Sequence, residues 1–203
     1  MLEGSGGGGH WNDGRDAGGH SDRLFILYRA ENAQVGKIQM ANGNAVLDAG
    51  GLPLIWIDGV KSGESVRLLA GFLDDSRSGL RDAALVAIAL HDDPESVTAL
   101  VRAAHENASG HVRGQALFWL AQKASHKIAG EAIENAIEND PETEVKRQAV
   151  FALSQMPAEE GVPRLIGVAR TNRNREVRKQ AVFWLGQSRD PRALQFFEEV
   201  LSR

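Results

Sequence analysis

The sequence predicts an all-α protein, an α-solenoid of about four to five antiparallel helix pairs, with a small β element on its amino-terminal side. Glycine distribution is the first observation: 14 of the 22 glycines lie in residues 1–63 and 8 in the remaining 140, so the chain changes character near Gly63. After that point apolar residues recur with the period of an amphipathic helix. Four nine-residue segments of this part also align with one another without a gap.

The four aligned segments predict one helix that is repeated along the chain. They begin at Leu80, Val112, Val145 and Val177, so their spacings are 32, 33 and 32 residues. Positions 1, 5, 8 and 9 of each segment share one arc of a helical wheel and are apolar, with alanine at position 5, where two helix backbones come close. Each segment is therefore expected to bury one face.

A second set of helices is predicted between these segments, from apolar residues at helical spacing. The separators are short, and Asp-Pro pairs at Asp93, Asp140 and Asp190 place proline at or near a first helical turn. The result is about nine helices in antiparallel pairs with a period near 32 residues. Such a period indicates a solenoid, in which each repeat buries its apolar face only against its neighbours.

The chain is predicted to have three parts: a flexible glycine-rich tail over residues 1–21, a small β-rich cap over 22–62, and the solenoid over 63–203. Eight glycines between residues 4 and 21 leave too little apolar surface to offset the entropy of ordering that segment. The tail is therefore expected to be poorly ordered.

Two or three short strands are expected in the cap. The β-like stretches are 24–29, 34–40 and 45–48. Asn32 separates the first two, and the pair Asn42-Gly43, which is a strong hairpin-turn signal, separates the last two.

The repeated helix resembles the second helix of the HEAT-repeat family, in particular its short bacterial form first associated with phycobilisome lyases. The shared pattern is Val-Arg-x-x-Ala-x-x-x-Leu, which begins at Val112, at Val145 with lysine in place of arginine, at Val177 and, more loosely, at Leu80. The resemblance covers about residues 64–203. It implies an interaction surface, usually the concave face lined by the second helices, and it implies no reaction.

One polar and aromatic pattern repeats beyond the core. In the last three segments position 4 is always glutamine, position 7 phenylalanine and position 11 glutamine, and these positions cluster beside the buried arc. The candidate partner-binding residues are Gln115, Phe118, Gln122, Gln148, Phe151, Gln155, Gln180, Phe183 and Gln187. Two interpretations stand. In the first, the glutamines hydrogen-bond from repeat to repeat and each phenylalanine fills the groove between repeats. In the second, the residues form a ridge that grips an extended peptide.

Basic residues cluster towards the carboxyl end. Residues 164–192 contain eight basic and two acidic residues, although the whole chain has a formal net charge of −4. The candidate anion-binding residues are Arg173, Arg175, Arg178 and Lys179. Nucleic-acid binding through these repeats is therefore an alternative function, but the acidic balance and the lack of a long basic stripe weigh against it.

The basic residues at position 2 of the repeated helix are expected to serve structure. Arg113, Lys146 and Arg178 are predicted to pair with carboxylates or helix ends of adjacent repeats. The tryptophans at position 8, Trp119 and Trp184, fall on the buried arc and are predicted to belong to the core.

No catalytic, cofactor or metal site is predicted. The chain has no cysteine, which excludes disulfides, thiolate metal sites and thiol nucleophiles. The glycine run 4–9 fits a dinucleotide fingerprint but has no strand before it. His10, Asp13, Asp16 and His20 would chelate a metal only if the tail were ordered. A chromophore-lyase-like or other enzyme relative is a second alternative for which no specific site is evident.

The sequence therefore predicts a non-catalytic scaffold that binds a protein partner. No apolar stretch of the length needed to span a membrane occurs. The amino terminus shows no signal peptide, which favours a cytoplasmic location, although a processed exported protein would look the same.

Overall fold

The structure, a computed structural model, describes residues 23–202 apart from the side chain of His126. These residues belong to two compact units that divide between Lys61 and Ser62. The first unit contains a β-hairpin and the second contains the helices. The predicted glycine-rich tail lies wholly outside the described residues, and so do the candidate chelating residues 10–20.

The hairpin consists of strands β1 (Leu24–Glu31) and β2 (Gln34–Asn42), which pair antiparallel. Its turn is formed by Asn32 and Ala33, whose φ angles of 51° and 60° are both left-handed. Two-residue hairpin turns favour this conformation because it matches the twist of the strands.

The hairpin-turn prediction at Asn42-Gly43 is therefore wrong. These residues lie at the open end of the hairpin, where the Gly43 N–H donates to the Arg23 carbonyl at 2.8 Å. Residues 45–48, the third β-like stretch, form no strand. Within this unit the Phe25 ring meets Trp56 edge to face at 4.8 Å, and Ile38 is buried.

The second unit contains nine helices in the described part of the chain, arranged as four consecutive pairs followed by one further helix. They are α1 (Ser62–Ala70), α2 (Ser78–Leu90), α3 (Pro94–Glu106), α4 (Gly110–Lys123), α5 (His126–Asn139), α6 (Thr143–Gln155), α7 (Ala158–Thr171), α8 (Arg175–Gln187) and α9 (Pro191–Leu201). The even-numbered helices, called second helices below, pack side by side from α2 to α8. This arrangement confirms the predicted α-solenoid with a small β element.

The helices α3 and α9 begin where the sequence predicts. The Asp93 and Asp190 carboxylates accept the N–H groups of Glu95 and Arg192, at 2.8 and 2.9 Å. A proline follows each aspartate at the first helical position, where no N–H is needed. These two helix starts are therefore set by local chemistry.

The buried face of the second helices also matches the prediction. Positions 1, 5 and 9 are no more than 3% exposed in all four segments. Position 8 is fully buried where it is alanine, at Ala87 and Ala152. Trp119 and Trp184 occupy the same position but are only half-buried, so the prediction that they belong to the core is right only in part.

The loops inside the helix pairs repeat one hydrogen-bonded turn. Asn107, Asp140 and Asn172 are buried, and each side-chain oxygen accepts the N–H of the second residue after it at 2.9 Å. The Asn107 amide also donates to Asp74 of the preceding pair, at 2.8 Å. The loops therefore stabilise themselves locally and are also linked from pair to pair.

A buried ion pair joins the second and third helix pairs. Arg113 donates through Nε and Nη2 to both carboxylate oxygens of Asp140, at 2.7 and 3.0 Å, and through Nη2 to Glu142 at 2.9 Å. Its Nη1 donates to the Asn107 carbonyl at 2.8 Å. Burial raises the pKa of Asp140, but the bonds from Arg113 and from the Glu142 N–H outweigh it and hold the pKa below its ordinary value.

The prediction for the position-2 residues is thus confirmed for Arg113 and needs correction for the other two. Lys146 donates to the Glu138 carbonyl at 2.7 Å, and Arg178 donates to the Asn172 carbonyl at 2.8 Å. Both acceptors are helix ends of the same pair, not of an adjacent one.

Replacing Arg113 with methionine is expected to lower the free energy of unfolding by about 3–5 kcal/mol, because the Asp140 carboxylate would be left buried and unpaired. Urea denaturation followed by circular dichroism measures the change. Arg178→Met is the matched control and should cost about 1 kcal/mol, since it removes bonds to carbonyls only. Equal losses in the two variants would contradict the role given to the Arg113–Asp140 pair.

Acid is expected to destabilise the protein as the pH falls below about 4. The hydrogen bond from Arg192 lowers the pKa of Asp190 to about 2, and the pKa of Asp140 is also depressed. A depressed folded-state pKa means that the unfolded chain takes up protons first, so stability is present above the unfolded pKa and is lost as the pH falls. Urea denaturation from pH 6 to pH 2 measures this loss, and Asp190→Asn should make it smaller; an unchanged profile would contradict the contribution of Asp190.

Candidate functional site

The nine candidate partner-binding residues lie on three helices that are in contact in the structure. Positions 4, 7 and 11 of α4, α6 and α8 form what we call the Gln–Phe–Gln face, because α4 packs on α6 and α6 on α8. Its members are Gln115, Phe118, Gln122, Gln148, Phe151, Gln155, Gln180, Phe183 and Gln187. The three position-11 glutamines are exposed and the position-4 glutamines are exposed or half-buried.

Aromatic rings run across the three helices at the middle of this face. Phe118 and Phe151 stack with centroids 6.0 Å apart and planes inclined by 3°. Phe151 then contacts Trp184 at 5.0 Å, and Trp184 contacts Phe183 at 5.0 Å. With Trp119, which lies 5.3 Å from Phe118, they form the aromatic row. Phe118 and Phe151 are half-buried, whereas Phe183 at the end of the row is 53% exposed.

The packing interpretation of the face is right for the phenylalanines and wrong for the glutamines. The rings do contact one another between repeats. In the described part of the chain, however, no glutamine of the face hydrogen-bonds to another, and the one side-chain bond formed runs from Gln155 Nε2 to the neighbouring Ser154 Oγ at 3.1 Å. The exposed amide groups of the face are therefore left to solvent or to a partner, whereas Gln148 Oε1 is buried and makes no hydrogen bond within the described residues.

One glutamine is held against the preceding repeat by a glycine. The backbone of α4 at Gly114 comes so close to Gln148 that a Cβ there would lie 1.5 Å from Oε1. Gly114 is buried, and the other repeats have aspartate, arginine or lysine at this position. The contact brings the backbone of α4 close to α6, a feature that the sequence pattern alone did not reveal.

Opposite charges are matched along the amino-terminal margin of the face. The Arg147 and Lys179 side chains bond to Glu144 and Glu176 on their own helices, at 2.9 and 3.0 Å. The bond from Lys179 holds the pKa of Glu176 below its ordinary value. At the same margin the His111 ring lies 3.1 Å from the Asp82 carboxylate. The face itself contains no charged residue. At its margins Arg175 is exposed and makes no ion pair with the described residues, and Lys123, next to Gln122, bonds to the His91 carbonyl.

The four candidate anion-binding residues differ in whether their charged groups already have partners. Arg173 and Arg175 are exposed and make no ion pair with the described residues. Lys179 is paired with Glu176, and one end of the Arg178 guanidinium bonds to the carbonyls of the preceding loop.

Two other basic residues of the same region are paired with carboxylates, whereas Arg189 is exposed and makes no ion pair with the described residues. Arg170 pairs with Glu199, and Arg164 pairs with Glu134 and Glu160. Because these glutamates lie outside the basic stretch in the sequence or on other helices, the charge count of that stretch overstates its positive charge.

The described residues hold no group of three or more histidines, aspartates or glutamates that could bind a metal ion. Two cavities lie on the first-helix side, one of about 590 Å³ between α1 and α3 and one of about 370 Å³ between α3 and α5. The smaller one reaches Arg113, whose donors already bond to Asp140, Glu142 and Asn107. None of the described helices is both long enough and apolar enough to cross a membrane.

Comparison with known proteins bears on the helical unit. Residues 130–203, a little over a third of the chain, match the family model described as HEAT repeats. The match supports a HEAT-repeat family. HEAT repeats commonly mediate protein–protein interactions, and HEAT-repeat scaffolds are generally non-catalytic. No curated protein matches the chain. The matched region begins within α5 and ends at residue 203. The helices α2 and α4, which precede it, have the same repeated nine-residue pattern at the same spacing.

Removing the exposed amides and removing a packed ring should affect stability differently. The combined change Gln122→Ala, Gln155→Ala and Gln187→Ala should alter the free energy of unfolding by less than about 0.5 kcal/mol per site, since these side chains are exposed. Phe151→Ala should cost about 2 kcal/mol, because the ring contacts both Phe118 and Trp184. Urea denaturation measures both.

Phe183→Ala is the control for the ring, because Phe183 is more exposed and contacts only Trp184 within the aromatic row. It should cost clearly less than Phe151→Ala. A large loss from the glutamine changes would instead show that the glutamines stabilise the stack of repeats, contrary to the hydrogen bonding described above.

Proposed function

We propose that this chain is a non-catalytic scaffold that binds a protein partner on the surface of its second helices, the side that is usually concave in HEAT-repeat solenoids. The observation that carries the proposal is the Gln–Phe–Gln face. A row of aromatic rings lies there between two rows of side-chain amides, and most of those amides make no hydrogen bond to the described residues. Repeated packing accounts for the rings but not for the amides.

The chemistry of the face suits a polypeptide. Aromatic rings supply large contact areas at small cost in side-chain entropy, and they dominate the binding energy of many protein interfaces. A glutamine amide offers two N–H donors and one acceptor oxygen, which match the carbonyl and N–H groups of a peptide backbone. Because the rings of Phe118, Phe151 and Trp184 already pack on one another, little ordering is needed when a partner binds.

Charge favours a protein over the alternative ligand, a nucleic acid. Binding to phosphates requires several unpaired cations along one surface. The pairs Glu144–Arg147 and Glu176–Lys179 match two of the charges at the margin of the face. Of the basic stretch, Arg173, Arg175 and Arg189 are exposed and make no ion pair with the described residues. All three lie near the carboxyl end of the chain, so they do not form a basic footprint across the repeats.

We further propose that the repeats are of the short bacterial type and that residues 1–21 are a tail, 22–62 a cap and 63–203 the solenoid. The spacings of 32, 33 and 32 residues and the uneven distribution of glycine support this organisation. No constellation of residues in the described part supports a lyase or other enzymatic activity.

Co-purification with the tagged chain from its native host, followed by mass spectrometry, tests the scaffold function. The face variant carries Gln122→Ala, Gln155→Ala and Gln187→Ala. The control variant removes three exposed amides from first helices, as Asn135→Ala, Asn139→Ala and Gln195→Ala. A protein that binds the wild type and the control but is lost from the face variant is the expected result.

Two outcomes would contradict the proposal. Retention of every bound protein by the face variant would place binding elsewhere on the chain. Recovery of nucleic acid whose binding falls steeply with salt and is weakened by Arg173→Ala and Arg175→Ala would support the nucleic-acid alternative instead.

A further inference from the structure

We propose that Arg81, near the amino end of α2, binds a single carboxylate supplied by another molecule. Arg81 stands at position 2 of its segment, about 200° of helix rotation from position 4. The site is therefore separate from the Gln–Phe–Gln face and does not depend on the function proposed for that face. The residues at equal positions in the next repeat show what Arg81 lacks.

The guanidinium of Arg81 has no hydrogen-bond or ion-pair partner among the described residues. Its Nε is buried, although the residue as a whole is only half-buried. Two aspartates lie close to it in the chain, but both are engaged. Asp75 accepts from Arg77 through both oxygens, at 2.8 and 2.7 Å, and Asp82 lies 3.1 Å from the His111 ring. A buried N–H without an acceptor is unfavourable, so an acceptor from outside the chain would be stabilised here.

Arg113 stands at the same position of the next repeat, and each of its guanidinium nitrogens has an acceptor. Nε and Nη2 donate to the two oxygens of Asp140, at 2.7 and 3.0 Å, and Nη2 also donates to Glu142 at 2.9 Å. Nη1 donates to the Asn107 carbonyl at 2.8 Å. An arginine at position 2 is thus placed to bind a carboxylate that comes from outside its own helix pair.

The loop that follows Arg81 has no carboxylate at the corresponding places. The residues 33 positions before Asp140 and Glu142 are Asn107 and Ser109. The two loops correspond in structure as well, because Asn107 and Asp140 close the same turn with hydrogen bonds of 2.9 Å. The Asn107 amide group donates to the preceding pair. Neither residue therefore supplies Arg81 with the acid that Arg113 has.

The chemistry of the site selects a carboxylate with one negative charge. A guanidinium is a planar fork that matches two carboxylate oxygens, as the contact of Arg113 with Asp140 shows. The pKa of Asp75 is lowered chiefly by hydrogen bonds from Arg77, and the charge of Arg81 contributes, so Asp75 lies within the field of Arg81. This aspartate would repel a second negative charge, which disfavours a phosphate dianion. The source is either an acidic side chain of a partner protein or a small carboxylic acid.

Titration of the full chain with sodium acetate tests the site, at about pH 6, where carboxylates are ionised. The arginine Nε–H signals are followed in proton–nitrogen correlation spectra, and Arg81→Lys identifies the Arg81 signal by its loss. This signal should move saturably, with half-saturation at or below about 10 mM. The Arg113 signal should stay in place, because Asp140 already occupies that guanidinium. Sodium chloride at equal concentrations is the control for ionic strength and should not move the Arg81 signal.

Ser109→Glu places an acid within the chain, where Glu142 stands relative to Arg113. The Ser109 side chain makes no capping hydrogen bond, so its replacement removes no cap from α4. The Arg81 signal should then be shifted without ligand, and half-saturation should require at least about tenfold more acetate. Ser109→Gln is the matched control, which has the same size but no charge, and it should respond to acetate nearly as the wild type does.

Acetylated, amidated Ala-Glu-Ala distinguishes the two sources of the carboxylate. Tighter binding than that of acetate supports the site and assigns it to an acidic side chain of a protein, whereas equal or weaker binding supports it as a site for a small acid. An Arg81 signal that does not move in about 0.2 M acetate would overturn the proposal, since only a weak exposed ion pair would then form. Equal movement in chloride would overturn it as well, and so would an unchanged response to acetate in the folded Ser109→Glu variant.

Discussion

Burial of the second helices against one another is the constraint on which the helical unit depends. A helix pair of about 32 residues cannot enclose its own apolar face, so each pair is completed by the next. The apolar residues at positions 1 and 9 and the alanine at position 5 meet this need in every repeat, and the small alanine lets the backbones approach. Once this face is turned inward, positions 4, 7 and 11 are turned towards the helix surface together, because the helix fixes the angle between them.

This constraint explains why the same phenylalanines can both pack between repeats and contribute to the proposed binding surface. The phenylalanines at position 7 lie at the border between the buried and exposed arcs, so they pack between repeats and still contribute to a surface. The glutamines on either side are not needed for packing, except where Gly114 admits Gln148. A repeat that must bury one face thus also creates a periodic surface beside it.

The polar contacts of the loops stabilise the stack in a different way. Asn107, Asp140 and Asn172 each close a local turn, and Arg113 and Asn107 also bond to a neighbouring pair. The buried Arg113–Asp140 pair is specific in geometry, since two nitrogens meet two oxygens. These contacts fix how one pair is placed on the next, whereas the apolar face supplies most of the favourable free energy.

The sequence by itself determined the helix positions, the repeat length and the buried arc, because these depend on local periodicity and on capping residues such as Asp93 and Asp190. It also identified the nine residues of the Gln–Phe–Gln face, since equal positions in equal helices share a direction. Only the tertiary structure decided which residues meet across repeats: the stacking of Phe118 on Phe151, the pairing of Arg113 with Asp140 and the unused amides of the glutamines. It also showed that the hairpin turn lies at Asn32 and Ala33 and not at Asn42-Gly43. Ala33 adopts a left-handed conformation there because the paired strands hold it. Contacts between residues about 30 positions apart depend on how whole helices pack, and local sequence patterns carry no record of that packing.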